Sequence, residues 1–261
     1  MIANWIGLIA GIGAILLGNF LEGGHISSLI QPTAALIVGG GTLGATMLAS
    51  TMEEFVAALG ILGKIFLGGT PNYEGLAKEI IALAASARKD GILSLENQVS
   101  KIKNPFLSKN LRSIIDGYDP NVLKSIMEDQ MHHVEEEKNA VAKVYETAGG
   151  FSPTVGIIGA VMGLIHVMSN LSDSSKLGAG IAVAFVATVY GVGAANLVLI
   201  PLGNKLKKMV KQEIKEMEII YLGLCGIQEG LNPRVIEDRL MNLVGGHHKG
   251  GGEGDAHKKA A

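Results

Sequence analysis

Three side chains in the apolar parts of this chain invite a chemical reading: Thr188, Tyr190 and His166. A polar group in hydrocarbon costs free energy, so it tends to face protein or water and to mark a pathway. Thr188 either lines such a pathway or bonds back to a carbonyl of its own helix. Tyr190 reads as a packing residue with one hydrogen bond. His166 lies towards the end of its apolar stretch, where an interfacial place suits it better than a proton relay. Pro153 and Pro201 remove backbone donors at similar depth. They read either as a coupled hinge or as chance, with Pro153 in the first turn of a helix and Pro201 close to a helix exit.

Other candidate chemistry is weaker. GVGAAN at 191–196 imitates a glycine-rich nucleotide loop, but it lies inside an apolar stretch instead of after a strand. No P-loop and no nucleophile–base pair can be named, so no catalytic residue is assigned and the chain does not read as an enzyme. His132 and Glu136 have helical metal-ligand spacing, but two ligands are too few for a site. His247, His248 and His257 belong to a Gly-rich tail. Cys225, the single cysteine, reads as a small core or interface residue. No metal and no cofactor are expected.

Composition says what must hold these residues. The chain has 261 residues, 36 of them glycine, with a mean hydropathy of +0.35, only 18% charged residues and a net charge of −2. Abundant glycine with high hydropathy fits closely packed membrane helices, and the charge argues against nucleic acid. Four segments have the length and apolarity to span a bilayer: about 2–21, 33–50, 149–170 and 178–202. Short connections make each pair an antiparallel hairpin. Residues 51–148 hold eleven Lys/Arg and 203–261 hold ten, against Lys176 alone in the two connections. That asymmetry places both large polar regions and both termini in the cytoplasm.

The expected fold is therefore an all-α polytopic membrane protein, with four transmembrane helices in two hairpins and a helical cytoplasmic domain. It divides into a hairpin at 1–50, the cytoplasmic domain at 51–148, a second hairpin at 149–202, and a cytoplasmic C-terminal region at 203–261, disordered from about 245. Within 51–148, Leu76, Ile80, Leu83 and Ala87 share a helix face. Asp119 and Pro120 form a helix start, and that helix can run almost unbroken into the third span. Small residues stripe every span, including Gly159 and Gly163 in the third and Ala184, Ala187 and Gly191 in the fourth. A turn centred near residue 174 puts Ala160 and Thr188 at one depth.

At this point the motifs resemble the MotA/PomA family of bacterial flagellar stator subunits, over about residues 1–243. ARKDGILSLEN at 87–97, SIIDGYDP at 113–120 and GLNPRVIEDRL at 230–240 resemble its cytoplasmic motifs. FSPTVGIIGAVMGLI at 151–165 and VATVYG with IP at 200–201 resemble its third and fourth spans. The resemblance implies a homopentamer in the bacterial inner membrane around a single-span MotB/PomB-like partner, driving the rotor switch protein FliG. An ion path ordinarily needs a carboxylate, and no span has one, so the acid must come from that partner, in the family an Asp. The resemblance assigns Arg88, Lys89 and Glu96 to the rotor contact, Thr188, Ala160, Ala187 and Tyr190 to the ion path, and Pro153 and Pro201 to conformational coupling. Sodium-type relatives carry Thr where this chain has Ala160 and Ala187, and Asp where it has Gln31. Few oxygens remain for sodium, so the expected ion is a proton, with sodium as the alternative. The competing function is a TolQ/ExbB-like energiser of a periplasm-spanning partner.

Overall fold

The computed structural model describes residues 2–169 and 174–245. Residues 170–173, where the sequence suggests the turn of the second hairpin, and the tail with His247, His248 and His257 lie outside the described residues. Among the described residues the regular structure is entirely helical: α1 (Ile2–Leu21), α2 (Pro32–Ala49), α3 (Met52–Leu67), α4 (Tyr73–Asp90), α5 (Glu96–Val99), α6 (Pro105–Ile115), α7 (Pro120–Ser169), α8 (Ser174–Gly193), α9 (Ile200–Gln228) and α10 (Pro233–Gly245). Two short 3-10 turns precede α2 and α5, and a π-helical segment, Ala194–Leu199, joins α8 to α9. Three stretches, Ile26–Ala49, Pro120–Ser169 and Gly180–Gln228, are long and apolar enough to cross a membrane; Trp5–Leu21 is a shorter apolar helix.

The chain forms two compact units. One takes the residues up to Gly69 with Glu137–Met209, the other Thr70–Glu136 with the residues from Val210 onward. These units do not follow the hydropathy boundaries at 51 and 149. Helix α3 and the residues of α7 from Glu137 onward pack in the first unit, because their apolar faces meet each other. Ala58 and Ile65 of α3 are buried with Val141, Ala142 and Tyr145 of α7 and Leu202 and Leu206 of α9. The Tyr145 hydroxyl donates to the Ala58 carbonyl, and Lys207 pairs with Glu146 at 2.7 Å. Thr51 starts α3 with a capping box, its hydroxyl accepting from Glu54 N–H while the Glu54 carboxylate accepts from Thr51 N–H.

In the second unit, Leu76, Ile80 and Leu83 turn one face of α4 into a core with Leu107, Leu111, Leu123, Met127, Ile219, Ile220 and Leu224. Ala87 is partly buried against it. Gly223 lets α9 approach α4, since a Cβ there would stand 2.3 Å from Ile80 Cγ2. Gly117, at φ +80°, ends α6 in a left-handed turn that side chains rarely adopt. Two residues later Asp119 caps α7, its carboxylate accepting from the N–H groups of Asn121 and Val122.

Two expectations about the prolines change. Pro153 does not open a helix: α7 runs unbroken from Pro120 to Ser169 with Pro153 inside it. One capped start at Asp119 serves both the polar helix and the apolar segment, so Pro153 leaves the Gly149 carbonyl without its i+4 donor. Pro201 is not close to a helix exit. It stands in the first turn of α9, directly after the π-helical segment, and α9 continues to Gln228.

Candidate functional site

Small residues build the seam between α7 and α8. A Cβ on Gly156 would stand 2.9 Å from the Ala187 carbonyl oxygen, and one on Gly163 would stand 2.9 Å from Ala184 N and Gly180 O. A Cβ on Gly191 would meet the Ser152 carbonyl oxygen at 2.5 Å. The backbones are therefore in contact, and Ser152 Oγ adds a hydrogen bond to Gly191 O at 3.0 Å. Facing pairs run 156 with 191, 159 with 187 and 163 with 184, an antiparallel register.

That register settles where the candidate residues point. Gly159 faces Ala187, so Ala160 and Thr188 lie one step to either side of that level, about 3 Å apart along the helix axes. In antiparallel right-handed helices such a step turns both side chains to the same side of the seam. Both are half-buried. By helical spacing, Ile157, Leu164, Ile181, Phe185 and Val192 share this side, and all are exposed. Thr188 Oγ1 reaches the Ala184 carbonyl at 3.4 Å, long for a hydroxyl donor, so its bonding capacity is poorly used within its own helix.

Ala187 and Tyr190 point elsewhere. Ala187 is fully buried with Ala34 and Val38 of α2. The Tyr190 hydroxyl donates to Leu29 O at 2.5 Å and accepts from Gln31 N–H at 3.2 Å. It thereby ties α8 to the start of α2, with one more hydrogen bond than its sequence reading allowed. The four residues grouped in the sequence thus separate into a half-buried pair on one side of the seam and a pair braced against α2.

Sequence reasoning missed the π-helical segment. Its last turn closes with Ile200 N–H donating to Ala195 O, five residues back. Pro201 next to it cannot donate to Leu197 O, which removes the α-helical bond that would restore ordinary winding. Asn196 Nδ2 donates to Val192 O at 3.0 Å on the same stretch. A proline following a Gly/Ala-rich run was the available signal.

The charged residues lie in the other unit. Arg88 and Lys89 end α4, Gly91 turns the chain at φ +82°, and Glu96 begins α5; the three charged side chains are exposed. Arg88 Nη1 donates to Gly230 O at 3.0 Å, which fixes it against the turn after α9. Between the charges stands Leu93, 73% exposed while Leu95 and Val99 bury to anchor the loop. Nearby, Lys124 pairs with Glu229 at 2.7 Å, and the Tyr221 hydroxyl donates to Glu128 at 2.6 Å. That hydrogen bond, with burial, raises the Tyr221 pKa, and burial pushes the Cys225 thiol up to about 11. Among the described residues no three His, Cys, Asp or Glu side chains gather as a metal site.

The sequence matches the MotA/TolQ/ExbB proton channel family over residues 98–219 and the motility protein A N-terminal family over residues 5–91. Motility protein A of Helicobacter pylori (strain ATCC 700392 / 26695) is 36% identical over 239 residues, covering 92% of this chain and 93% of that protein. Chemotaxis protein PomA of Vibrio alginolyticus is 33% identical over 243 residues, covering 93% and 95%. The solved structure of C. jejuni MotAB superposes with a TM-score of 0.88 at 32% identity, covering 92% of this chain and 94% of that one. With two family matches and full-length relatives that agree, the chain belongs to the motility protein A branch of the MotA/TolQ/ExbB proton channel family.

Proposed function

We propose that this chain is the A subunit of a flagellar stator, coupling proton flow across the bacterial inner membrane to rotation of a ring of its own copies. The observation that carries the reading is the exposed side of the α7–α8 seam. It offers the Thr188 hydroxyl beside Ala160 in apolar surroundings, and residues 151–169 and 177–204 contain no Asp, Glu, Lys or Arg. A proton path needs a titrating group, so an Asp of a single-span MotB/PomB-like partner completes it. The MotAB relatives support that partner and an oligomeric assembly; five copies is the number the family resemblance favours.

In this reading α1, α2, the apolar part of α7, and α8 with the π segment are four spans in two hairpins, with both termini cytoplasmic. Ala187 and Tyr190 brace the path wall from the α2 side, and Pro153 and Pro201 weaken helix bonding where the wall must flex. Arg88, Lys89 and Glu96, with Leu93 among them, contact FliG by charge complementarity, which steers and registers more than it tightens.

The test is complementation of a stator-deficient motile strain by this chain with its partner. Arg88→Glu should abolish swimming while the complex still assembles in the membrane. Normal swimming of that variant would favour a TolQ/ExbB-like energiser, which touches no rotor.

A further inference from the structure

A cavity of about 430 Å³ lies between α1, the end of α3 and the start of α9, within the first unit. Leu8, Phe66, Leu197 and Leu202 give it apolar walls, and Asn204, Lys205 and Lys208 add polar ones. A second cavity of about 410 Å³ shares Leu197 and Val198 with the first, and its other walls include Ile12, Val38 and Val189. Together they outline a groove that is cationic at one end and hydrocarbon at the other.

The lysines are the telling part. Their neighbour Lys207 is neutralised by Glu146 at 2.7 Å. No acidic partner stands beside Lys205 or Lys208 among the described residues. Two cations without an acidic partner beside an apolar slot suit an anion that carries hydrocarbon with it. Trp5, its ring centroid 4.7 Å from that of the lining residue Phe66, is the residue type that marks headgroup depth. The space is within the usual range of ligand cavities, roughly 300–1,000 Å³.

We infer that this groove binds an anionic phospholipid of the inner leaflet, its phosphate on Lys205 and Lys208 and one acyl chain along Leu197 and Val198. The inference rests on the cytoplasmic orientation of this end given under the proposed function. Basic pockets between membrane helices on the cytoplasmic side hold anionic headgroups for the same reason. The acyl chain would lie against the π segment and Pro201, so occupancy couples the wall's irregular stretch to membrane composition.

The test uses the full complex with its partner subunit in nanodiscs of equal phosphatidylglycerol and phosphatidylcholine, with retained lipid counted by native mass spectrometry after detergent extraction. Phosphatidylglycerol should be retained over phosphatidylcholine. The double variant Lys205→Gln with Lys208→Gln should lower its retention about tenfold or more, each basic residue contributing to anionic-lipid attraction. Lys109→Gln, an exposed change of the same charge in the other unit, should leave it unchanged. Gly7→Phe should displace the lipid sterically, since a Cβ at Gly7 meets nothing within 4 Å; if that variant fails to assemble, the lysine pair decides alone. Equal retention of both lipids, indifference to the lysine pair, or a neighbouring copy found filling the groove would overturn the site. Because the readout is lipid, a complex that retains phosphatidylglycerol yet drives no motility removes the stator reading alone, and a working motor with no lipid preference removes the site alone.

Discussion

By its spacing, Thr188 can either bond back into its own helix or turn its hydroxyl outward from the seam. Its bond to Ala184 O at 3.4 Å is too long to occupy it, and it shares a side of the seam with Ala160. Thr188→Val should lower ion flux about tenfold, the worth of one lost hydrogen bond in a dry path, and Thr188→Ser should restore it; proton flux into vesicles containing the complex is the measurement. Cys225 supplies a pH-dependent prediction. Burial raises its thiol to about 11, so the fold favours the neutral form. That stabilisation is whole below the free thiol's value of roughly 8.5 and is lost as pH climbs through about 11. At pH 8, alkylation by iodoacetamide should be at least about a hundredfold slower in the folded protein than in guanidinium, since only the thiolate reacts. Equal rates would mean the thiol is not buried in solution.

Among elements, the α7–α8 seam and the π segment make opposite demands. Rigid backbone contact at Gly163 and Gly191 leaves no room for a side chain: the atoms a Cβ would strike are backbone atoms, which cannot swing away. Gly163→Leu should destabilise the complex by about 1–3 kcal/mol or more, the ordinary cost of overpacking. Gly193→Ala, where nothing stands within 4 Å, should be tolerated; thermal unfolding of the purified complex compares the two. At the π segment the expectation is a functional change with little loss of stability. Pro201→Ala returns a donor to Leu197 O, lets the segment rewind, and should reduce torque while assembly persists. Unchanged bead-rotation torque would separate the π winding from coupling. The unbroken α7 was partly legible, because Asp119–Pro120 announces its start, but Gly149, Gly150 and Pro153 read as a break that the helix runs through. Only Pro201 after a Gly/Ala-rich run hinted at the π segment, because π winding has no periodicity of its own over six residues.

For the whole molecule, charge distribution and ion choice set the tests. In the proposed path, one hydroxyl per subunit would offer sodium few oxygen ligands once its water is shed, whereas a proton would need only a bonded relay. Stator-driven rotation should therefore persist when sodium is replaced by potassium at constant proton-motive force; loss of torque would assign sodium instead. The intact complex with its partner should have a mass consistent with several copies of this chain, five in the expected arrangement. Exposed apolar side chains on α7 and α8, from Ile157 to Met168 and from Ile181 to Val192, need lipid or neighbouring subunits to cover them.

The sequence by itself determined the helical class, the apolar segments, the core face of α4, the start of α7 and the family, because each rests on local pattern or on a contiguous motif. Only the tertiary structure decided which candidate residues share a surface. Ala160, Thr188, Ala187 and Tyr190 form one group in the sequence, yet the antiparallel register turns the first two to one side and sends the others to α2. Likewise, the hydrogen bond that holds Arg88 against Gly230, far along the chain, belongs to the tertiary structure alone. Direction around a helix depends on the neighbour it meets, and that neighbour is chosen by packing between distant segments.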